Sequence, residues 1–346
     1  MSGLSAFTEV PEIDIAGLRS ADQGRRRQVV DQLGAACRDV GFCYLTGTGV
    51  APALFDELLA VTRRFFALPL ESKLRHYIGN STCHRGYVPE GEEVFSGGTV
   101  DRKEAFDTGL DLPADDPDHR AGNPLLGPNQ WPELPGFAAA VTAYYTAAMD
   151  LGRLLLAAFA RALGEPPESF ARAVTKPPSQ LRLIHYPFDA DARDAQGIGA
   201  HTDYECFTLL RPTAPGLEVL NGAGDWIDVP PRPDAFVLNI GDMLETWTNG
   251  EFVATTHRVR KVREERYSFP LFFCVDYETV VAPLPQFVRP GRPARPGLVA
   301  GEHLFAQTAQ SFGYLKRRVA AGELTLPDGA LGLSSFGQEA LQRART

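Results

Sequence analysis

Cysteine is scarce: five in 346 residues, at positions 37, 43, 83, 206 and 274, with no CxxC pair and an odd total. Neither a disulfide framework nor a cysteine zinc site is expected, and the pattern fits a reduced, cytoplasmic protein. Long apolar runs are missing too. The most apolar stretch, Leu154 to Ala160, ends at Arg161, and the start MSGLSAFTEVPEIDIAGL has no basic region followed by an apolar one. No membrane span and no signal peptide are therefore expected. Positive charge is in deficit: 34 Lys and Arg against 43 Asp and Glu leave a net charge of −9 and a pI near 5.4. Such a surface repels phosphate backbones and anionic lipid, which disfavours nucleic acid and membranes as partners. No internal repeat stands out at solenoid or propeller periods. What is present, 44% apolar and 22% charged residues, is ordinary for a soluble globular protein.

The chain is long for one typical domain and short for three. Val29, Leu33, Ala36 and Val40 give an amphipathic helix that runs into Gly41 and a strand over Phe42 to Leu45. Leu54 to Phe66 repeats the helical pattern. From His76 to Asp107 no period is sustained, which predicts a long loop, with Tyr77 to Glu93 able to close over a site. Phe137 to Ala162 reads as a long helix between Pro135 and Gly164, placed to pack on a sheet. After it come short β-rich pieces at Gln180–Tyr186, Cys206–Leu210, Leu217–Leu220, Trp226–Val229, Ala235–Ile240, Phe252–Val259 and Tyr267–Val275, separated by turn signals such as Asn221-Gly222 and Asn249-Gly250. Strands without intervening helices indicate an antiparallel sandwich or barrel. Residues 283–300, rich in Pro and Arg, read as a packed strap before a last helix over about Glu302 to Val319. The regions expected are 1–120, 121–178 with the long helix, 179–282 with the chemistry, and 283–346.

His201-Thr202-Asp203 puts a histidine and a carboxylate on one face of an extended segment, and His257 in the same β region supplies a third donor. Two histidines and a carboxylate form the facial triad of non-haem Fe(II) oxygenases, although zinc accepts the same atoms. Arg266 and Ser268 alternate onto one strand face and can bind a carboxylate through a fork and a hydroxyl. On Gln180 to Pro187, Arg182 and Tyr186 share a face and add a charge and a phenol to the same cavity.

The segments LRLIHYP, HTDYECFTLL, GLEVLNGAGDWIDVPP, NIGDMLETWTNGEFVATTHRV and RYSFPLFF, with VPEIDIAGL, DVGFCYLTGTGV and RGYVPEGEE before them, resemble the isopenicillin N synthase-like family of Fe(II)/2-oxoglutarate-dependent dioxygenases. The likeness covers most of the chain. It implies a mainly β fold with flanking α-helices: a distorted jelly roll, or double-stranded β-helix, behind an N-terminal helical region. It implies iron on His201, Asp203 and His257, and 2-oxoglutarate held by Arg266, Ser268 and Tyr186. Oxygen would be the second cosubstrate, with ascorbate a candidate reductant. The expected reaction is oxidation, chiefly hydroxylation, of an unactivated C–H bond of a small molecule, giving succinate and CO2. Arg182 and Tyr204 are the expected substrate contacts. The substrate would be a nucleobase-like heterocycle, an amino acid or a natural-product intermediate. One departure is Ile184, where plant relatives often carry Asn in the motif NYYP. Two alternatives stay open on sequence: an iron oxidase that spends the RxS element on its substrate, without 2-oxoglutarate, and a non-enzymatic ligand-binding sandwich.

Overall fold

Asp22 starts the first helix, α1 (Gln23–Asp39), by accepting hydrogen bonds from the N–H groups of Gly24 and Arg25. Gly41 ends it in the left-handed region at φ +70, where a Cβ would stand 2.3 Å from the Val253 carbonyl oxygen. Only glycine fits that turn into the next strand. The computed structural model describes residues 4–93, 103–188, 196–260 and 263–327.

Within them an eight-stranded sheet runs in the order β1-β2-β10-β7-β12-β5-β4-β3. Its members are β1 (Glu12–Asp14), β2 (Phe42–Thr46), β3 (Gly86–Val88), β4 (Glu104–Gly109), β5 (Gln180–Tyr186), β7 (Phe207–Pro212), β10 (Phe236–Ile240) and β12 (Arg266–Phe273). A four-stranded sheet, in the order β6-β11-β8-β9, joins β6 (Gln196–His201), β11 (His257–Arg260), β8 (Leu217–Leu220) and β9 (Trp226–Asp228). These two sheets are the jelly roll. Four strands of the larger sheet come from the first 120 residues, so the N-terminal region is woven into the core and is more than a helical preface. A small pair, β13 (Val280–Val281) with β14 (Leu298–Val299), closes the Pro-rich strap.

Two helices, α2 (Pro52–Phe66) and α5 (Phe137–Ala162), lie with α1 along the outer side of the large sheet. α5 comes close enough that a Cβ on Gly152 would meet the Phe273 ring of β12 at 2.3 Å, and Phe159 packs edge-on against Phe207. Short helices α3 (Leu70–Leu74), α4 (Pro117–Arg120) and α6 (Asp242–Trp247) fill connections. The last helical stretch is broken at Phe312, whose extended backbone separates α7 (Ala300–Ser311) from α8 (Gly313–Ala320). All five cysteines are buried free thiols. No helix among the described residues is long and apolar enough to cross a membrane.

Three local expectations give way. The loop expected from His76 to Asp107 contains β3 and the start of β4; its residues 94–102 lie outside the described ones. These strands are buried on both faces and so show no in–out alternation. Glu104, for instance, is buried because Lys73, Tyr87 and His185 all bind it. The strand expected from Phe252 begins only at His257. Before it, Val253 and Thr255 bond to Cys37 and Val40 at the end of α1 instead of joining a sheet. α6 was hidden because six residues are too few to show a helical period.

Candidate metal centre

His201 closes β6 and His257 opens β11, and the antiparallel register sets the two opposite each other. Their ring centroids are 4.3 Å apart. Asp203, two residues past the strand end, reaches the same spot, with Oδ1 3.5 Å from Nε2 of each histidine. Each ring is aimed by a backbone carbonyl. His201 Nδ1 donates to Gly199 at 2.8 Å and His257 Nδ1 to Thr255 at 3.2 Å, which assigns the proton to Nδ1 and leaves both Nε2 lone pairs facing Asp203. The other carboxylate oxygen, Oδ2, accepts from Asn239 at 2.7 Å and from the Thr208 hydroxyl. Three donor atoms within 4.8 Å of one another, with every other polar atom of the three side chains committed elsewhere, fit a divalent cation. Two imidazoles and one carboxylate suit Fe(II).

Charge supports the same reading. Burial alone would raise the Asp203 carboxyl, but His257 and His201 hold it well below the usual carboxylate range. Burial would lower His257, and Asp203 raises it.

A second group of polar side chains lies on β5 and β12, where Arg266 is the cross-strand neighbour of Tyr186. Arg266 is 1% exposed, its guanidinium carbon sits 4.8 Å from the Tyr186 ring centroid, and Nε donates to the Ala214 carbonyl at 3.2 Å. Nη1 is buried with no partner among the described residues. Burial pulls the Arg266 pKa down, and the Tyr186 phenol offsets only part of that. Ser268, on the same strand face and buried, lies opposite Ile184 and Pro212, neither of which offers its side chain a hydrogen bond. A buried guanidinium with one nitrogen unpartnered among the described residues, beside a hydroxyl, has the chemistry to bind a carboxylate. Glu265, next in sequence, is spent elsewhere, bonded to His185 and Tyr267 on the opposite face.

Residues 10–134 match the family described as non-haem dioxygenase in morphine synthesis N-terminal, and residues 177–275 match the 2OG-Fe(II) oxygenase superfamily. A homoarginine-6-hydroxylase of Oryza sativa subsp. japonica is 35% identical over 327 residues, 89% of this chain and 99% of that one. The chain belongs to the 2OG-Fe(II) oxygenase superfamily. Among solved structures, a putative 2OG-Fe(II) oxygenase family protein of Caulobacter crescentus superposes with a TM-score of 0.76 at 32% identity, covering 91% of this chain and 99% of that one. A Neurospora crassa enzyme in complex with alpha-KG and thymine gives 0.74 at 25% identity, covering 90% and 97%. The protein is accordingly an Fe(II)- and 2-oxoglutarate-dependent oxygenase acting on a small molecule.

The oxygenase treats another interior arginine differently. Arg182 lies opposite Asp107 in the register of β4 and β5, and the two form a forked pair, Nε to Oδ1 at 2.7 Å and Nη2 to Oδ2 at 2.8 Å. Nη1 binds both oxygens of Glu93 at 3.0 Å, and Lys103 also reaches Glu93 at 3.0 Å. Of the five N–H donors of a guanidinium, four are thereby used, leaving one for anything else. Phe312 packs its ring 5.3 Å from the Arg182 guanidinium carbon, so the break between α7 and α8 abuts this cluster. Tyr204, next to Asp203 in the chain, is partly buried, and burial with the charges of Glu205 and Glu93 pushes its phenol up against the pull of Arg182.

Sequence reasoning missed Asp107, Glu93 and Lys103 as partners of Arg182, and Thr208 and Asn239 as holders of Asp203. Asn239 left a signal, being a poor strand former amid the apolar run Phe236 to Ile240. Thr208 is its cross-strand neighbour, which no one-dimensional pattern reveals.

Replacing His201, Asp203 or His257 singly by Ala is expected to abolish stoichiometric Fe(II) binding, measured by anaerobic titration, while the circular dichroism spectrum is unchanged. Any one variant that binds iron like the parent would remove that residue from the ligand set. Glu93 gives a pH prediction. Burial would raise its pKa, but Arg182 and Lys103 bring it down to about 2. A depressed carboxylate stabilises the fold fully above its unfolded pKa of about 4.3, and that contribution, on the order of 3 kcal/mol, is lost as pH falls toward about 2. Glu93→Gln should therefore lower Tm near neutrality and flatten the fall in Tm between about pH 5 and 2.

Proposed function

We propose that His201, Asp203 and His257 hold the iron, that Arg266, Ser268 and Tyr186 bind the distal carboxylate of 2-oxoglutarate, and that Tyr204 and Arg182 border the organic substrate. In this reading residues 179–282 carry the reaction, residues 1–120 and 283–346 wall it in, and residues 121–178 supply the packing helix. The observation that carries the cosubstrate assignment is the buried Nη1 of Arg266, which has no counter-charge among the described residues. A 2-oxoglutarate carboxylate supplies that charge, and the Ser268 hydroxyl adds a second donor to it.

Loaded with 2-oxoglutarate and oxygen, the iron centre supplies an oxidant strong enough to take hydrogen from an unactivated C–H bond, with succinate and CO2 as co-products. The chain's own part is placement. Gly199 and Thr255 keep the histidine rings turned inward, and Thr208 and Asn239 leave Asp203 a single free oxygen for the metal. Arg266 orients the cosubstrate from its far end, and the apolar walls of the jelly roll keep bulk water from the reacting atoms. No general base is required of the protein.

For the substrate we propose a compact, uncharged polar heterocycle, hydroxylated at a C–H bond. The Neurospora relative was crystallised with thymine, and the charge inventory supports a neutral guest. Glu93 and Asp107 already face Arg182 and Lys103, so a cationic side chain would have to displace an internal ion pair to find a counter-charge. An amino acid substrate is the second reading, favoured by the homoarginine-6-hydroxylase relative.

Arg266→Ala is expected to raise the KM for 2-oxoglutarate by about tenfold or more, since a desolvated charge-assisted contact is worth over about 1.5 kcal/mol, with Lys restoring only part. An unchanged KM would refute the receptor assignment. Offering uracil- and thymine-like heterocycles beside basic amino acids, with succinate and product both quantified, separates the substrate classes. With the productive substrate, Arg182→Ala should lower the yield of product per succinate, because a misplaced C–H bond misses the oxidant. A lower Tm with an unaltered ratio would confine Arg182 to its ion pairs.

A further inference from the structure

The strap between β13 and β14 carries arginines that the oxygenase reaction does not use. Arg289-Pro290-Gly291-Arg292 forms a tight turn: the Arg292 N–H donates to the Arg289 carbonyl at 2.8 Å, and Gly291 sits at φ +82 with proline before it. That is the signature of a type II turn, and it brings the two arginines side by side. Asn249 pins the strap from below. Its amide Nδ2 donates to the carbonyls of Phe287 and Pro293 at 3.0 and 3.1 Å, and its Oδ1 accepts from the Arg295 N–H at 3.0 Å. Between strap and anchor lies a cleft of about 580 Å3, lined by Arg289, Arg292, Arg295, Asn249, Gly250 and Glu251 among others.

The charges in this cleft do not balance. Glu251 is shared by Arg38 at 3.2 Å and Arg292 at 2.9 Å, and Glu245 binds Arg295 at 3.0 Å. Arg289 is exposed and its guanidinium has no partner among the described residues. Gly250 is where the arginines converge: from the point its Cβ would occupy, Nη2 of Arg295 lies 2.6 Å away and Nη2 of Arg292 lies 3.5 Å away. Three arginines therefore line the cleft against one carboxylate, Glu251, in a protein whose net charge is −9. Like charges held this close raise the local positive potential, and a bound anion relieves it. Arginine's planar fork suits oxyanions in particular.

We propose that this cleft binds a small multivalent oxyanion, a phosphate-bearing or polycarboxylate molecule, with Arg289, Arg292 and Arg295 as its ligands and Gly250 giving it room to approach. The volume is ample for such a guest. It is a separate site from the iron pocket, whose arginines are Arg182 and Arg266.

The test is calorimetric titration of the iron-loaded enzyme, saturated with 2-oxoglutarate, at fixed ionic strength. Fructose 1,6-bisphosphate probes the phosphate source and tricarballylate the carboxylate source. Saturable binding of either is expected, weakened about tenfold in Arg289→Ala and lost in Arg289→Glu, with kcat and the KM for 2-oxoglutarate unaltered. The probe that binds tighter identifies the source. Absence of saturable binding for both, or equal binding by the parent and Arg289→Glu, would overturn the proposal. The Arg289 side chain holds no other described residue, so misfolding does not confuse the comparison.

Discussion

The Asp203 carboxylate is the group on which both sheets meet. Its Oδ1 faces two histidines of the four-stranded sheet, and its Oδ2 is bound by Thr208 and Asn239 of the eight-stranded one. A buried carboxylate must have all its lone pairs answered, and here one oxygen is answered by Thr208 and Asn239 while the other faces the two histidines. The distance between the sheets at this end of the jelly roll is therefore fixed by side chains that also fix the ligand geometry.

A second consequence of burial separates two of the interior arginines. Arg182 and Arg266 lie on neighbouring strands, both nearly inaccessible to water. Register gives Arg182 an aspartate across the ladder and gives Arg266 a tyrosine ring. The first cation is thus answered by carboxylates, and the second has a nitrogen without a partner among the described residues. A one-residue slip of either strand would reverse the faces and destroy the distinction, which is why the central strands are long and paired on both edges.

The Arg182 cluster also ties together parts of the chain that are far apart in sequence. Glu93 comes from the segment after β3, Asp107 from β4, and Phe312 from the break between the last two helices. The Phe312 ring packs against His84 as well, and His84 bonds to Tyr314, so the C-terminal helices are seated by contacts with the N-terminal region. This explains why residues 1–120 do not stand alone: their strands extend the large sheet, and their charged side chains complete it.

Much of this was legible in one dimension. Local spacing determined α1, α2 and α5, most of the later strands, the HTD element and the alternation that sets Arg266 and Ser268 on one face, because periodicity and chain adjacency are properties of the sequence itself. The strand pattern joined His257 to His201 and indicated a sandwich or barrel, and the resemblance narrowed it to a jelly roll. Tertiary structure alone decided the rest. It decided that β3 and β4 are strands, since their polar residues are buried by partners from elsewhere and mask the alternation that marks a half-buried strand. It decided that Arg182 is paired and Arg266 is not, because both are arginines on inward faces and differ only in the residue across the ladder. It decided that Thr208 and Asn239 orient Asp203, since cross-strand register depends on how strands distant in sequence align, and no spacing along the chain encodes that.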